Sequence, residues 1–181
     1  MNTKKNWVFY LLQILAWIIF VGVCIEAGGF LSTTLFTFFK PESAEHLWKQ
    51  VDLSAVYNHD HGEFFVLSTY IIIVAVLRAI MFYLIIKVLY EKKLTLSQPF
   101  NKMTERFISI IAYLALGIGL FSYWGVKYAE WLTTKGITVP DTQYLRLGGA
   151  DVWLFMSVTL FVIVQVFKRG IEIQTENDLT V

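Results

Sequence analysis

Four apolar runs, at about residues 7–28, 66–89, 107–126 and 150–167, leave this chain few ways to fold. A helix crossing a bilayer needs ~20 residues at about 1.5 Å rise each, and the runs come close to that length or exceed it. The fourth is the shortest, and Tyr144, Leu145 and Leu147 stand where they would extend it. No alternating ten-residue strand pattern is present, so a barrel is not expected. Buried soluble helices are the other way to use such runs. A chain of 181 residues with 16% charged side chains has too little polar surface to cover four of them. The expectation is an all-α membrane protein, a single integral domain over residues 1–181 built as a four-transmembrane-helix bundle.

Lys4 and Lys5 precede the first run, as in a secretory leader. The run from Trp7 to Ile25 is longer than the ~7–15 residues of a leader core, and Ile25-Glu26-Ala27 is not a small-x-small cleavage site. Bulky Val23 ahead of Cys24 argues against a lipoprotein site. The segment therefore reads as a retained span. The single cysteine excludes an internal disulfide and a cysteine-cluster metal site. A net charge of +1 provides no field to draw nucleic acid, so no direct nucleic-acid binding is expected.

Lys and Arg set the direction. Lys4, Lys5, Lys87, Lys92, Lys93, Lys102, Arg106, Lys168 and Arg169 make nine on one side, against five on the other (Lys40, Lys49, Lys127, Lys135 and Arg146). The positive-inside rule places both termini and the middle loop in the cytoplasm, and the chain in the inner, cytoplasmic membrane of a cell.

Arg78 lies near the middle of the second run. On the insertion scale it costs about 2.5–3.5 kcal/mol at the span centre. The thirteen Leu, Ile, Phe and Val residues between Val66 and Ile86 offset it by about 4–8 kcal/mol, so the span survives. Counting rise from Lys87 puts Arg78 roughly 13 Å from the cytoplasmic edge, and Glu26 and Asp151 roughly 10–15 Å away in depth. Ser157 and Thr159 come out at its own level, with Tyr113 and Gln13 a little below. These residues form the candidate intramembrane polar site, satisfied by hydrogen bonds and water within the bundle or by snorkelling. The functional reading of the same position is a site for an anion or an acidic partner.

The third run carries Ser109, Ala112, Ala115, Gly119 and Ser122 at steps of three and four, one helix face that lets a backbone approach closely. A seam inside the bundle is the expected use, and a homodimer face the alternative. The first outer loop is the largest. Its "KPESAEHLWKQV" reads as a short amphipathic helix, with Pro41 in the first turn and Ala44, Leu47, Trp48 and Val51 on one face. "NHDHGE" sets His59, His61 and Glu63 in alternation, with His46 upstream. They are the only metal-ligand candidates, but the spacing matches no established motif and is ordinary turn chemistry, so no metal and no cofactor is expected.

On the cytoplasmic side, "EKKLTLSQPFNKMTER" is a basic loop and "KRGIEIQTENDLTV" a tail that turns acidic after its Lys168-Arg169 anchor. Lys92, Lys93, Pro99 and Phe100, with Glu172, Glu176 and Asp178, form a candidate surface for a cytoplasmic partner. These two pieces carry a resemblance. Pro99-Phe100 followed by "NKMTERFISIIAYLALGIGLF", and the closing "KRGIEIQTENDLTV", resemble a bacterial family of four-span membrane proteins known only as domain of unknown function 2975. Its members commonly carry a basic residue where Arg78 stands. The resemblance implies association with a small helix-turn-helix DNA-binding protein, often encoded beside such membrane proteins. It implies no reaction.

No serine–histidine–acid set, phosphate-binding loop or intramembrane acid pair is legible, so no catalysis is expected. The reading is a non-enzymatic sensor or regulator whose partners are the lipid bilayer and a cytoplasmic helix-turn-helix regulator. The alternative is a small transport, pore or immunity component handling a peptide or ion.

Overall fold

A computed structural model describes residues 3–45, 51–90 and 100–178. Among the described residues all regular structure is helical: α1 (Thr3–Thr37), a 3-10 turn (Pro41–Ala44), α2 (Ser54–His59), α3 (His61–Tyr90), α4 (Lys102–Thr134) and α5 (Ala150–Asp178). The helices α1, α3, α4 and α5 are each long and apolar enough to cross a membrane.

Every long helix overruns its apolar run, because backbone hydrogen bonding does not need an apolar side chain. α1 shows this best. Gly28 and Gly29 lie within it rather than ending it. Each costs about 1 kcal/mol relative to alanine, but Thr33 Oγ1 donates to the Gly29 carbonyl at 2.8 Å and Thr37 Oγ1 to the Thr33 carbonyl at 2.9 Å. Asp60 ends α2 and starts α3, its Oδ1 accepting from the Glu63 amide at 2.9 Å. Asn101 starts α4 in the same way, accepting from the Thr104 amide at 2.8 Å.

The chain goes up, down, up and down between two ends. The loop face carries residues 38–60 and 135–149, and the terminal face is where α3 ends and α4 begins. α1 packs on α3, α3 on α4 and α4 on α5, while α1 and α5 make no extended contact. The α4 small-residue face is the seam to α5. Ala112, Ala115, Gly119 and Ser122 are buried, and a Cβ at Gly119 would stand 2.8 Å from the Leu154 side chain.

The α4–α5 connection departs from expectation. Tyr144, Leu145 and Leu147 do not extend the fourth helix. They belong to a turn in which the Leu147 amide donates to the Thr142 carbonyl at 3.0 Å, and Arg146 (φ 60°) and Gly149 (φ 78°) both take left-handed backbone that a helix cannot continue through. Leu154 lies level with Gly119, fifteen residues before the end of α4. By rise, α5 therefore begins roughly 15 Å below the point where α4 ends. The segment between them dips back into the molecule, burying Ile137, Leu145 and Leu147. Leu147 fills the notch left by Gly125, where a Cβ would stand 2.9 Å from it.

At the loop face these leucines join Phe30, Leu53, Val56, Phe64, Leu67 and Leu132 in a fully enclosed core. Of the stretch "KPESAEHLWKQV" expected to form an amphipathic helix, Pro41–Ala44 form a 3-10 turn, and residues 46–50 lie outside the described residues. The six-residue α2 was not expected. It starts where Asp52 Oδ1 accepts from the Ser54 amide at 2.8 Å, and it buries Val56.

Candidate functional site

Two places bring polar or aromatic side chains together in a way that packing alone does not require. The first surrounds Arg78. Two aromatic pairs fix the register of antiparallel α1 and α3, Phe38 on Phe65 at 4.1 Å and Phe20 near Tyr83 at 6.4 Å. That register places Glu26 at the level of Arg78. The rise count from apolar edges had separated them, because it took α1 to end at Gly28 when it continues to Thr37. The returning α4–α5 segment brings Arg146 to the same level, where it forms an ion pair with Glu26, Nε to Oε1 at 2.6 Å. The Arg78 guanidinium carbon lies 5.5 Å from the centre of the Trp153 ring, in the first turn of α5. Arg78 Nε is buried and donates to no protein acceptor.

Between these groups is a cavity of about 440 Å³ lined by Arg78, Thr142, Gln143, Arg146, Gly148 and Gly149. Two guanidiniums against one carboxylate leave the region net positive. Its chemistry is that of donors and fixed charge, with no nucleophile beside a base.

The residues expected around Arg78 go elsewhere. Ser157 Oγ donates to the Leu154 carbonyl at 2.8 Å, and Thr159 Oγ1 to the Phe155 carbonyl at 3.0 Å, both on their own helix. Tyr113 is exposed and meets Phe161 edge-on at 5.0 Å. Gln13 is half-buried on α1 and does not line the cavity. Sequence reasoning missed Thr142, Gln143, Arg146 and Trp153. The available signal was Gly148-Gly149 just before the fourth run, a break in the backbone preceded by an arginine.

The second place is on the terminal face. Phe100 lies against α5. Its Cδ1 is 2.5 Å from where a Gly170 Cβ would stand, and its ring is 5.3 Å from that of Phe167. Beside it runs a groove of about 880 Å³ lined by Phe100, Val166, Arg169, Gly170, Ile173, Gln174 and Glu176. Glu172 is bonded to Arg169 at 3.2 Å. Of the expected partner surface, Phe100, Glu172 and Glu176 thus come together on one stretch of α5. Lys92, Lys93 and Pro99 lie outside the described residues, as does the side chain of Asp178.

Among the described residues the histidine cluster is not assembled, and His46 lies outside them. Glu63 Oε1 accepts from Lys135 Nζ at 2.7 Å, closing α3 onto the end of α4, and its other oxygen lies 3.6 Å from His59 Nε2. His61 stacks on Tyr57 at 4.2 Å. Among the described residues no three metal-ligating side chains gather.

Four long apolar helices define a multi-pass helical membrane protein. A family model described as a protein of unknown function (DUF2975) matches residues 48–181, well over half of the chain. The chain belongs to that family. The match takes in α2 to α5 and leaves α1 outside it. No curated protein and no solved structure matches the chain.

Proposed function

We propose that the protein is a non-enzymatic membrane sensor or regulator. It sits in the inner membrane of a bacterium with both termini in the cytoplasm, and it holds a small helix-turn-helix DNA-binding partner at its terminal face. One observation carries the reading: α5 continues as helix past the Lys168-Arg169 anchor and there borders an apolar groove. Basic anchors mark where a span leaves lipid. Beyond that point Ile173 is 57% exposed, and apolar surface outside lipid is what a docking partner covers.

The test is co-purification of the full chain with a small helix-turn-helix protein from the same genome, taken from beside its gene where one is encoded there. Wild type should retain the partner, and Ile173→Glu should lose it while extracting from membranes normally. Absence of capture by wild type would sink the proposal. Orientation is checked separately. Reporter fusions after Lys93 and at the C-terminus should read as cytoplasmic, and fusions at Asp60 as external.

A second reading, a small transport component, is favoured by the returning α4–α5 segment, since helices that begin inside a bundle build transporter sites. Solute flux in proteoliposomes without the partner would establish it.

A further inference from the structure

The cavity around Arg78 plays no part in the terminal-face reading, and its chemistry is specific. Burying a guanidinium edge with no acceptor is unfavourable unless something else supplies the acceptor. Arg78 Nε is in that position, while the ring of Trp153 holds the guanidinium toward the first turn of α5. Arg146 lines the same cavity. Leu145 and Leu147 on either side of it are fully buried, and the left-handed backbone at Arg146 turns its side chain away from theirs. Its Nε edge faces Glu26 in an ion pair, and the guanidinium carries two further terminal nitrogens that can donate.

α5 contributes a third element. The Trp153 amide donates to the Gly149 carbonyl at 3.1 Å, but the earlier first-turn amides of this 29-residue helix have no carbonyl within the helix to bond, and they carry the positive end of its dipole. Gly148 and Gly149 place bare backbone in the cavity wall ahead of them. Thr142 and Gln143 add a hydroxyl and an amide. Asp151, the one acid in that first turn, is exposed and does not line the cavity. Everything that lines the cavity can donate, and the net charge there is positive. Paired guanidinium forks suit the several oxygens of a phosphate better than a single point charge would.

We propose that this cavity binds a phosphate group, supplied either as the inorganic ion or as the headgroup of an anionic phospholipid, between Arg78, Arg146 and the first turn of α5. Such a ligand would tie α1 and α3, which pack directly on each other, to α5, which otherwise reaches them mainly through α4 and the returning segment.

The experiment measures thermal unfolding of the full chain in maltoside micelles, titrated with inorganic phosphate at constant ionic strength. A second arm uses nanodiscs of phosphatidylglycerol against nanodiscs of phosphatidylcholine. Phosphate should raise Tm by several degrees as it saturates the wild type. Arg78→Gln and Arg146→Gln should each weaken that effect at least tenfold, and Arg169→Gln on the terminal face should leave it unchanged. If phosphate alone does nothing but phosphatidylglycerol raises Tm in wild type and not in Arg78→Gln, the site stands with the lipid as its source. Should Arg78→Gln fail to fold, Arg78→Lys, which keeps the charge and loses the fork, should bind several-fold more weakly. No shift in either arm overturns the proposal, as does an equal shift in wild type and the Arg78 variant.

Discussion

The loop-face half and the terminal-face half of this molecule are built from the same four helices, but they are held together differently. Toward the loop face Phe30, Leu53, Val56, Phe64, Leu67, Leu132, Leu145 and Leu147 are enclosed on all sides, as in a soluble domain. Toward the terminal face the outer helices show their apolar residues. Ile18 on α1 is 64% exposed and Val158 on α5 61%. Water explains the enclosed core and lipid the exposed outer faces, which on α1 continue up to Leu35 and Phe36. Where helices leave the bilayer, apolar side chains gain about 25 cal/mol per Å² by hiding from water, so a conventional core forms. Within the bilayer the surroundings are as apolar as leucine, and helix contact rests on close packing of small residues. The α4 seam of Ala112, Ala115 and Gly119 against α5 is that kind of contact.

The comparison orders the expected effects of mutation. Phe64→Ala should be the most damaging. Phe64 is fully buried among Tyr57 and Phe65, and losing a core phenylalanine costs about 3–5 kcal/mol. Gly119→Leu should follow, at about 1–3 kcal/mol, because even a Cβ there meets Leu154. Glu63→Gln, which removes the partner of Lys135 at the partly exposed loop face, should cost about 0.2–1 kcal/mol. Ile18→Ala, facing lipid, should stay within about 0.5 kcal/mol. Reversible unfolding in mixed micelles ranks all four. If Ile18→Ala proved as damaging as Phe64→Ala, the division into two halves would fail.

What the sequence revealed divides along the same line. The lipid-facing runs were plain, because hydropathy measures the property that lipid selects. The seam on α4 was plain too, since spacing of three and four fixes one helix face. The loop-face half was harder to read. Helix ends beyond lipid carry mixed residues, so α1 looked finished at Gly28 although it runs on through "GFLSTTLFT". That error displaced Glu26 from Arg78. The larger miss was the return of residues 137–149. Leu145 and Leu147 had the hydropathy of a span, and nothing local distinguishes a leucine in a helix from one in a buried turn. Only Gly148-Gly149 marked the break. The arginine cavity depends on that return, so Arg78 was legible but Thr142, Gln143 and Arg146 beside it were not.

The return of the α4–α5 segment is the central structural claim, since it sets both the height of α5 and the composition of the cavity. It is tested most directly by disulfide formation in a Cys24→Ser background. The structure seats Leu147 in the notch of Gly125, nine residues below the end of α4. Gly125→Cys with Leu147→Cys should therefore oxidise to a disulfide in native membranes, while Thr134→Cys with Leu147→Cys should not. A disulfide between positions 134 and 147 with none between 125 and 147 would mean that the connection stays on top of the bundle, and the cavity around Arg78 would not exist as described.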